Sequence, residues 1–154
     1  MLNPENEIHS FVKGSQVEVS SDEEGFKGAY FEATILECPP KYKKRKKALV
    51  IYRTLLTDDG RSPLTECIDL VYMRPLPPAE DSARENFEEN DIVDARYRDG
   101  WWLGVVRKVF DDSSYMVYFD NPPDVIHFQK ENLRTHLDWV NGKWVLPEKQ
   151  GMSY

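Results

Sequence analysis

The chain contains the same succession of strand-like segments twice, and this duplication limits its fold more than any other feature. The first half holds FVKGSQVEV, GAYFEATIL, ALVIYRTL and DLVYMRPLPP, and the second half holds FEENDIVDA, DGWWLGVV, SYMVYFDN and ENLRTHL. Matched positions keep one offset within each segment and change it only at loops, as in the pairs Phe11 with Phe87, Val17 with Val93, Phe31 with Trp102, and Tyr52 with Phe119. Because loops absorb insertions at little cost, this pattern predicts a duplicated β-domain.

Each copy is predicted to consist of short strands. Val17 and Val19 flank a polar residue, which is the period of a half-buried strand, and Asp-Gly turn signals separate such segments. Since five short strands cannot bury two open edges, closure of each copy into a small barrel is expected. The predicted fold is mainly β, with two tandem small β-barrels packed together at residues 8–78 and 84–147.

One helix is predicted, near the C-terminus. Leu133, Leu137 and Val140 would share one face of a helix, and the following Asn141 and Gly142 would supply its C-terminal stop. A short helix is therefore expected over residues 133–140, as part of the second domain.

The charge of the chain indicates a basic partner. The formal net charge of -7 argues against a general duplex-DNA-binding domain, since such domains usually carry net positive charge. An acidic surface attracts a cationic peptide and raises its association rate, and histone tails are such peptides. No apolar run reaches the roughly 18 residues needed to cross a bilayer, so no membrane partner is expected. The chain is expected to be a monomer.

Catalytic motifs do not occur in the sequence. His9, His127 and His136 have no nucleophile signature beside them, and no P-loop, dinucleotide-binding glycine motif, HExxH or CxxC is present. The sequence therefore predicts a binding module that is not an enzyme and that needs no cofactor or metal.

The segments VEV…GAYFEATI…VIYRTLLTDDG…VYMRPLPP and DIVDARYRDGWWLGVV…YMVYFDNPPD…LRTHLDWVNGKWV resemble the plant Agenet domain in its tandem arrangement. Agenet domains belong to the Tudor-like Royal superfamily, so the resemblance implies two Tudor-like barrels. The resemblance extends to plant multi-Agenet proteins that recognise heterochromatic histone H3 methylation. It implies a nuclear chromatin reader of methylated lysine, with lysine nine of H3 favoured and gene silencing as the context.

The resemblance also implies where methyl-lysine would bind. Tudor-like cages use the end of the first strand, the start of the second, and the third strand with its following loop; in the second copy these positions hold Tyr97, Trp102, Phe119 and Asp120. Aromatic faces attract a methylated ammonium group, and a carboxylate at the rim adds Coulomb attraction. Possible neighbours in this cage are Trp101, Tyr118 and Asp124. Which of the two adjacent tryptophans lines the cage stays open, because neighbouring strand residues alternate in direction.

The first copy is a poorer cage. Its corresponding positions hold Ser20 or Ser21, Phe31 and Tyr52, followed by Arg53, and a serine forms no aromatic wall while a cation repels methylammonium. Acidic residues in its loops suggest instead a second subsite for an unmodified basic group of the same histone tail: Glu23, Glu24, Asp58 and Asp59. A solvated acidic loop is the alternative interpretation.

Two other functions stay open. The basic run at residues 41–47 could contact nucleic acid through Lys43, Lys44, Arg45 and Lys46, although a solvated loop between strands is favoured. The chain could also be a scaffold that binds an unmethylated, non-histone peptide.

Overall fold

The structure is a computed structural model that describes residues 11–38, 47–79, 86–120 and 122–147. The chain divides into two compact units. One is formed by Met1–Asp22 and Tyr30–Leu76, and the other by Glu23–Ala29 and Pro77–Tyr154. Two three-residue 3-10 turns lie among the described residues, and no helix in this part of the chain is long and apolar enough to cross a membrane. The domain boundaries at 8–78 and 84–147 stay a prediction.

The sheet of the first unit contains five antiparallel strands in the order β5-β1-β2-β3-β4. The strands are β1 (Gln16–Val19), β2 (Ala29–Glu37), β3 (Lys47–Leu56), β4 (Pro63–Asp69) and β5 (Met73–Pro75). The alternation along β2 and the first six residues of β3 buries every second side chain, which confirms the predicted strand period. A 3-10 turn at Leu70–Tyr72 separates β4 from β5.

The second unit repeats this order as β10-β6-β7-β8-β9. Its strands are β6 (Ile92–Tyr97), β7 (Gly100–Val109), β8 (Ser114–Asp120), β9 (Pro123–Gln129) and β10 (Leu133–Thr135), with a 3-10 turn at Lys130–Asn132 before the last of them. The core cluster on one face consists of Phe87, Val93, Ala95, Val106, Tyr115, Val117, Phe119, Phe128 and Leu133. The same strand order and the same late 3-10 turn in both units confirm the duplication.

The sheets are open, so the expected closure into barrels is wrong for the described strands. In the first unit β4 pairs with β3 and β5 pairs with β1, and the corresponding strands of the second unit behave alike. The last strand of each unit has three residues, and all three are used in the pairing with the first strand. Among the described residues, the other edge of this strand forms no ladder with the fourth strand of its unit. The mainly β, tandem character of the fold is confirmed.

The helix predicted over residues 133–140 is wrong, because this segment forms β10 and then a hairpin. All three residues of β10 are buried against β6, and β11 (Asp138–Val140) pairs with β12 (Lys143–Val145). Asn141 and Gly142 both have positive φ, 50° and 77°, which suits the two-residue turn of a β-hairpin. The Asn-Gly pair therefore turns a hairpin and does not end a helix.

Candidate aromatic binding site

The two faces of the second sheet carry different chemistry. Along β6, Val93, Ala95 and Tyr97 point toward the apolar core cluster, while Asp94 and Arg96 lie on the other face. Asp94 is fully buried even so, because side chains from neighbouring segments cover it. The alternation along the strand thus gives the second sheet an aromatic face and, opposite to it, a charged face.

Three of the predicted cage residues lie on the aromatic face. Tyr97 and Phe119 are stacked with ring centroids 6.1 Å apart and an angle of 19° between their planes. Trp102 and Tyr97 are only partly buried and pack against the core cluster, whereas Phe119 is 8% exposed. Phe128 meets the rings of Tyr97 and Phe119 edge-on, at centroid distances of 6.2 and 5.9 Å. Tyr97, Phe119 and Phe128 contact one another, and Trp102 packs against the same core cluster. We call these four rings the aromatic surface, in which Tyr97 and Trp102 keep part of their area accessible.

The structure distinguishes Trp102 from its neighbour Trp101. Trp102 is paired with Ala95 and Tyr97 with Gly100 across β6 and β7, so Trp102 is the diagonal neighbour of Tyr97 on one face. Trp101 is buried on the other face, where the guanidinium carbons of Arg96 and Arg134 lie 4.6 and 4.3 Å from its ring centroid. The electron-rich faces of Trp101 are therefore used by the protein's own cations.

Gly104 provides the space into which the aromatic surface packs. A Cβ atom there would lie 2.5 Å from Val117 Cγ1 and 3.1 Å from Phe119 Cε1. Both distances are shorter than van der Waals contact between carbon atoms. The sheet therefore needs glycine at this position for Phe119 to keep its place beside Tyr97.

The carboxylates near the aromatic surface are arranged differently from the sequence expectation. Asp120 pairs with Pro123 and lies beside Tyr118 on the charged face, where its hydrogen bond with the Tyr118 hydroxyl raises the pKa of that tyrosine. Asp124 is the direct cross-strand partner of Phe119 and is exposed. Directly opposed residues in antiparallel strands project on the same face. Asp124 is thus the carboxylate that the register brings to the aromatic surface.

A groove of about 310 Å³ lies on the charged face of the second unit. Its lining includes Leu103, Val105, Tyr118, Asp120, His136 and Asp138. The predicted cage residue Asp120 and the possible neighbour Tyr118 therefore line this groove and not the aromatic surface. The described residues contain no group of three or more His, Cys, Asp or Glu side chains that could hold a metal ion.

Beneath the groove lies a buried ionic cluster that sequence reasoning missed. Asp94 accepts a hydrogen bond from Arg134 Nε at 2.9 Å and contacts His136 Nδ1 at 2.7 Å. The other ring nitrogen of His136 lies 2.8 Å from Asp138 Oδ1. Burial lowers the pKa of His136, but the hydrogen bonds and charges of Asp94 and Asp138 outweigh it, so its pKa is raised above 6.5. Through these contacts, Arg134 of β10 and His136 just after it are both bonded to Asp94 of β6.

The first unit repeats the central part of this cluster. Glu18 on β1 accepts hydrogen bonds from Nε and Nη2 of Arg74 at 3.0 and 2.8 Å, and the guanidinium of Arg74 lies 3.5 Å from the ring centroid of Tyr30. The acid, the arginine and the aromatic ring occupy the positions that Asp94, Arg134 and Trp101 hold in the second unit. One signal was available: Glu18 precedes Asp94 by the same offset that separates the matched apolar residues of β1 and β6.

The aromatic side chains of the first unit at the corresponding positions are not open to solvent. Phe31 and Tyr52 are buried, and the Tyr52 hydroxyl donates to Glu66 at 3.2 Å. Burial and the Glu66 charge raise the pKa of Tyr52 far above its usual range. Arg53 is paired with Glu32 at 2.8 Å.

The residues of the predicted acidic subsite fall in different units. Glu23 and Glu24 are exposed in a turn assigned to the second unit, and Asp58 is exposed in a turn of the first. Asp59 accepts hydrogen bonds from Thr57 Oγ1 at 2.6 Å and from the backbone of its own turn, which lowers its pKa. The basic residues Lys43, Lys44, Arg45 and Lys46 lie outside the described residues.

Two copies of one antiparallel sheet, of which one exposes aromatic rings at its strand ends, define a β-sheet binding module. A family model for the Agenet domain matches residues 14–78. The crystal structure of Arabidopsis thaliana AGDP1 AGD34 matches with a TM-score of 0.83 at 38% identity, covering 95% of this chain and 99% of that one. The crystal structure of ADCP1 tandem Agenet domain 3-4 matches with a TM-score of 0.79 at 34% identity, covering 96% and 98%. The chain belongs to the Agenet family, in its tandem form.

Curated relatives from Arabidopsis thaliana extend the comparison. DUF724 domain-containing protein 3 is 51% identical over 138 residues, which are 89% of this chain and 20% of that protein. Protein AGENET DOMAIN (AGD)-CONTAINING P1 is 42% identical over 139 residues, which are 90% of this chain and 26% of that protein. The chain thus spans about a fifth to a quarter of the length of these relatives. Tandem Agenet domains are Tudor-like modules that bind peptides or proteins.

Proposed function

We propose that this chain is a nuclear chromatin reader that binds a methylated lysine of the histone H3 tail through the aromatic surface of its second unit. The favoured mark is lysine-nine methylation, in heterochromatin and gene silencing. The choice of H3 and of lysine nine rests on the family resemblance, and the net charge of -7 suits a basic tail. The observation that carries the proposal is the placement of Tyr97, Trp102 and Phe119 on one face of the sheet.

The chemistry of methyl-lysine fits this surface. Methylation keeps the positive charge of the ammonium group, removes hydrogen-bond donors and adds apolar area. The accessible parts of Tyr97 and Trp102 would bury the methyl groups while their π faces attract the charge, each by about 0.5–2 kcal/mol. Asp124, opposite Phe119, would add Coulomb attraction at the rim. We assign Asp120 an attraction at longer range, since it lies on the other face of β8.

Calorimetric titration against H3 peptides tests the proposal. The peptides carry zero to three methyl groups on lysine nine, with lysine-four peptides for comparison. We expect affinity to rise with methylation, and Tyr97→Leu to remove about two- to thirtyfold of it. Tyr118→Leu is the matched control, because it removes a tyrosine ring from the opposite face of the same sheet. Equal affinity for methylated and unmethylated peptides would show a scaffold that binds unmethylated peptide instead.

A pair of aspartate variants tests the rim carboxylate. Asp124→Asn and Asp120→Asn remove the same charge from neighbouring positions on the two faces. We expect Asp124→Asn to weaken the methyl-dependent part of binding more than Asp120→Asn does. A larger loss in Asp120→Asn would indicate that Asp120, the residue predicted from the sequence, is the carboxylate at the rim of the cage.

A further inference from the structure

A cation of the protein itself lies at the aromatic surface. The guanidinium carbon of Arg98 is 5.1 Å from the ring centroid of Tyr97, within the range of a cation–π contact. Arg98 is exposed and belongs to the turn between β6 and β7, where Arg98 and Asp99 have φ of 43° and 67°. The turn therefore directs a positive charge onto the ring that a methylammonium group would use.

The surroundings of Tyr97 leave little room for two cations. Its ring is stacked with Phe119 and meets the edge of Phe128, so two sides are already occupied by other rings. A methylammonium group in contact with Tyr97 would lie close to the Arg98 guanidinium, and like charges at short distance repel.

We propose that Arg98 is the resident cation of the aromatic surface, which a methylammonium ligand must displace, and that Arg98 thereby sets the affinity of the site. The inference rests on the proposed function. Displacement is feasible because an exposed arginine side chain can return to water, where its charge is fully hydrated. Of the two arginines on Trp101, Arg134 differs in this respect, because it is buried and bonded to Asp94.

The size of the effect follows from the exposure of the contact. A solvent-exposed cation–π contact is weak, so its loss should raise the affinity of a competing cation about two- to fivefold.

The test compares Arg98→Asn with Arg96→Asn. Asparagine tolerates positive φ, so Arg98→Asn removes the guanidinium without straining the turn. Arg96 lies two positions away on the opposite face, over Trp101, and its replacement changes the net charge equally. Both variants and the wild-type chain are titrated with an H3 peptide trimethylated at lysine nine and with tetramethylammonium chloride. Urea unfolding verifies that the variants fold.

We expect Arg98→Asn to bind both probes about two- to fivefold more tightly than wild type, and Arg96→Asn to change binding less. Equal gains in affinity in the two variants, or no gain or a loss of affinity in Arg98→Asn, would overturn the inference. If the wild-type chain still bound peptide in a methyl-dependent way, that result would uphold the proposed function. Tighter tetramethylammonium binding by Arg98→Asn without any preference for methylated peptide would support the inference and reject the proposed function. Failure of every protein to bind either probe would reject both.

Discussion

Replacing Gly104 by alanine should displace Phe119 and weaken both the fold and the site. The added Cβ would lie 2.5 Å from Val117 Cγ1, 3.0 Å from the backbone oxygen of Tyr118 and 3.1 Å from Phe119 Cε1. An ordinary carbon–carbon contact is about 3.5–4.0 Å, so Val117 must move by about 1 Å. Neither Val117 nor Phe119 can swing into solvent, because both belong to the buried core cluster.

The magnitude follows from two opposing effects. Overpacking a core by one methyl group costs about 1–3 kcal/mol. Alanine also restricts the unfolded chain relative to glycine, which raises the free energy of unfolding by about 0.4–1 kcal/mol. We therefore expect Gly104→Ala to lose about 1–2 kcal/mol of the free energy of unfolding. Urea unfolding followed by tryptophan fluorescence measures this loss. Methyl-dependent peptide binding should fall as well, because Phe119 forms one wall of the proposed cage.

The double variant Gly104→Ala/Val117→Ala checks the reasoning. Val117→Ala removes the Cγ1 atom that is nearest to the new methyl group. The two changes should therefore cost less together than the sum of their separate costs, with a coupling of about 0.5–3 kcal/mol. A Gly104→Ala variant as stable as wild type, or costs that simply add, would refute the steric account.

Three further predictions concern the charged face and the hairpin of the second unit. His136→Gln should flatten the pH dependence of the free energy of unfolding above pH 6.5. The pKa of His136 is higher in the folded chain than its value of 6.5 in the unfolded chain. The stability that this histidine contributes is therefore complete below pH 6.5 and is lost as the pH rises through the folded-state pKa. A slope that persists in His136→Gln would contradict the assignment. Arg134→Ala should cost about 1–3 kcal/mol in urea unfolding, because the buried Asp94 loses its hydrogen bond to the guanidinium and keeps His136 as a partner; a cost below about 1 kcal/mol would show that the cluster is not stabilising. Asn141→Ala should cost about 1–2 kcal/mol because of its positive φ, and Asn141→Gly should cost much less, in the same assay.

The fold was predictable where the sequence pattern is long and was missed where it is short. The strand β2 alternates from Ala29 to Leu36, which is long enough to distinguish a strand from a helix. The strands β10 and β11 have three residues each, and no period can be recognised over that length. The Asn-Gly pair that follows serves both helix ends and hairpin turns, so only the pairing with neighbouring strands decides between them.

The aromatic part of the site was predictable, but the charged part was not. Alternation along single strands places Tyr97 and Phe119 on a core-facing side, and the duplication aligns Trp102 with Phe31. The choice of Asp124 over Asp120 depends instead on the register between β8 and β9, which neither strand encodes alone. The contact that occupies the Trp101 ring likewise involves Arg134, which comes from β10, far along the chain.

The two units differ at the strand ends that form the proposed site, and they agree in the pairs that join the last strand to the first. Each fixes its last strand to its first through a buried acid–arginine pair, and in each the arginine lies on an aromatic ring. The position of Tyr97 is taken by a serine in the first unit, and Tyr52, at the position of Phe119, is held by Glu66.

The buried pairs lie on the face opposite the apolar core and join the last strand to the first without using the residues at the ends of the strands. Those residues can then differ between the copies at little cost to folding. This separation explains how one unit can keep Tyr97 and Trp102 partly exposed beside the cation of Arg98, while its strands stay fastened on the other side.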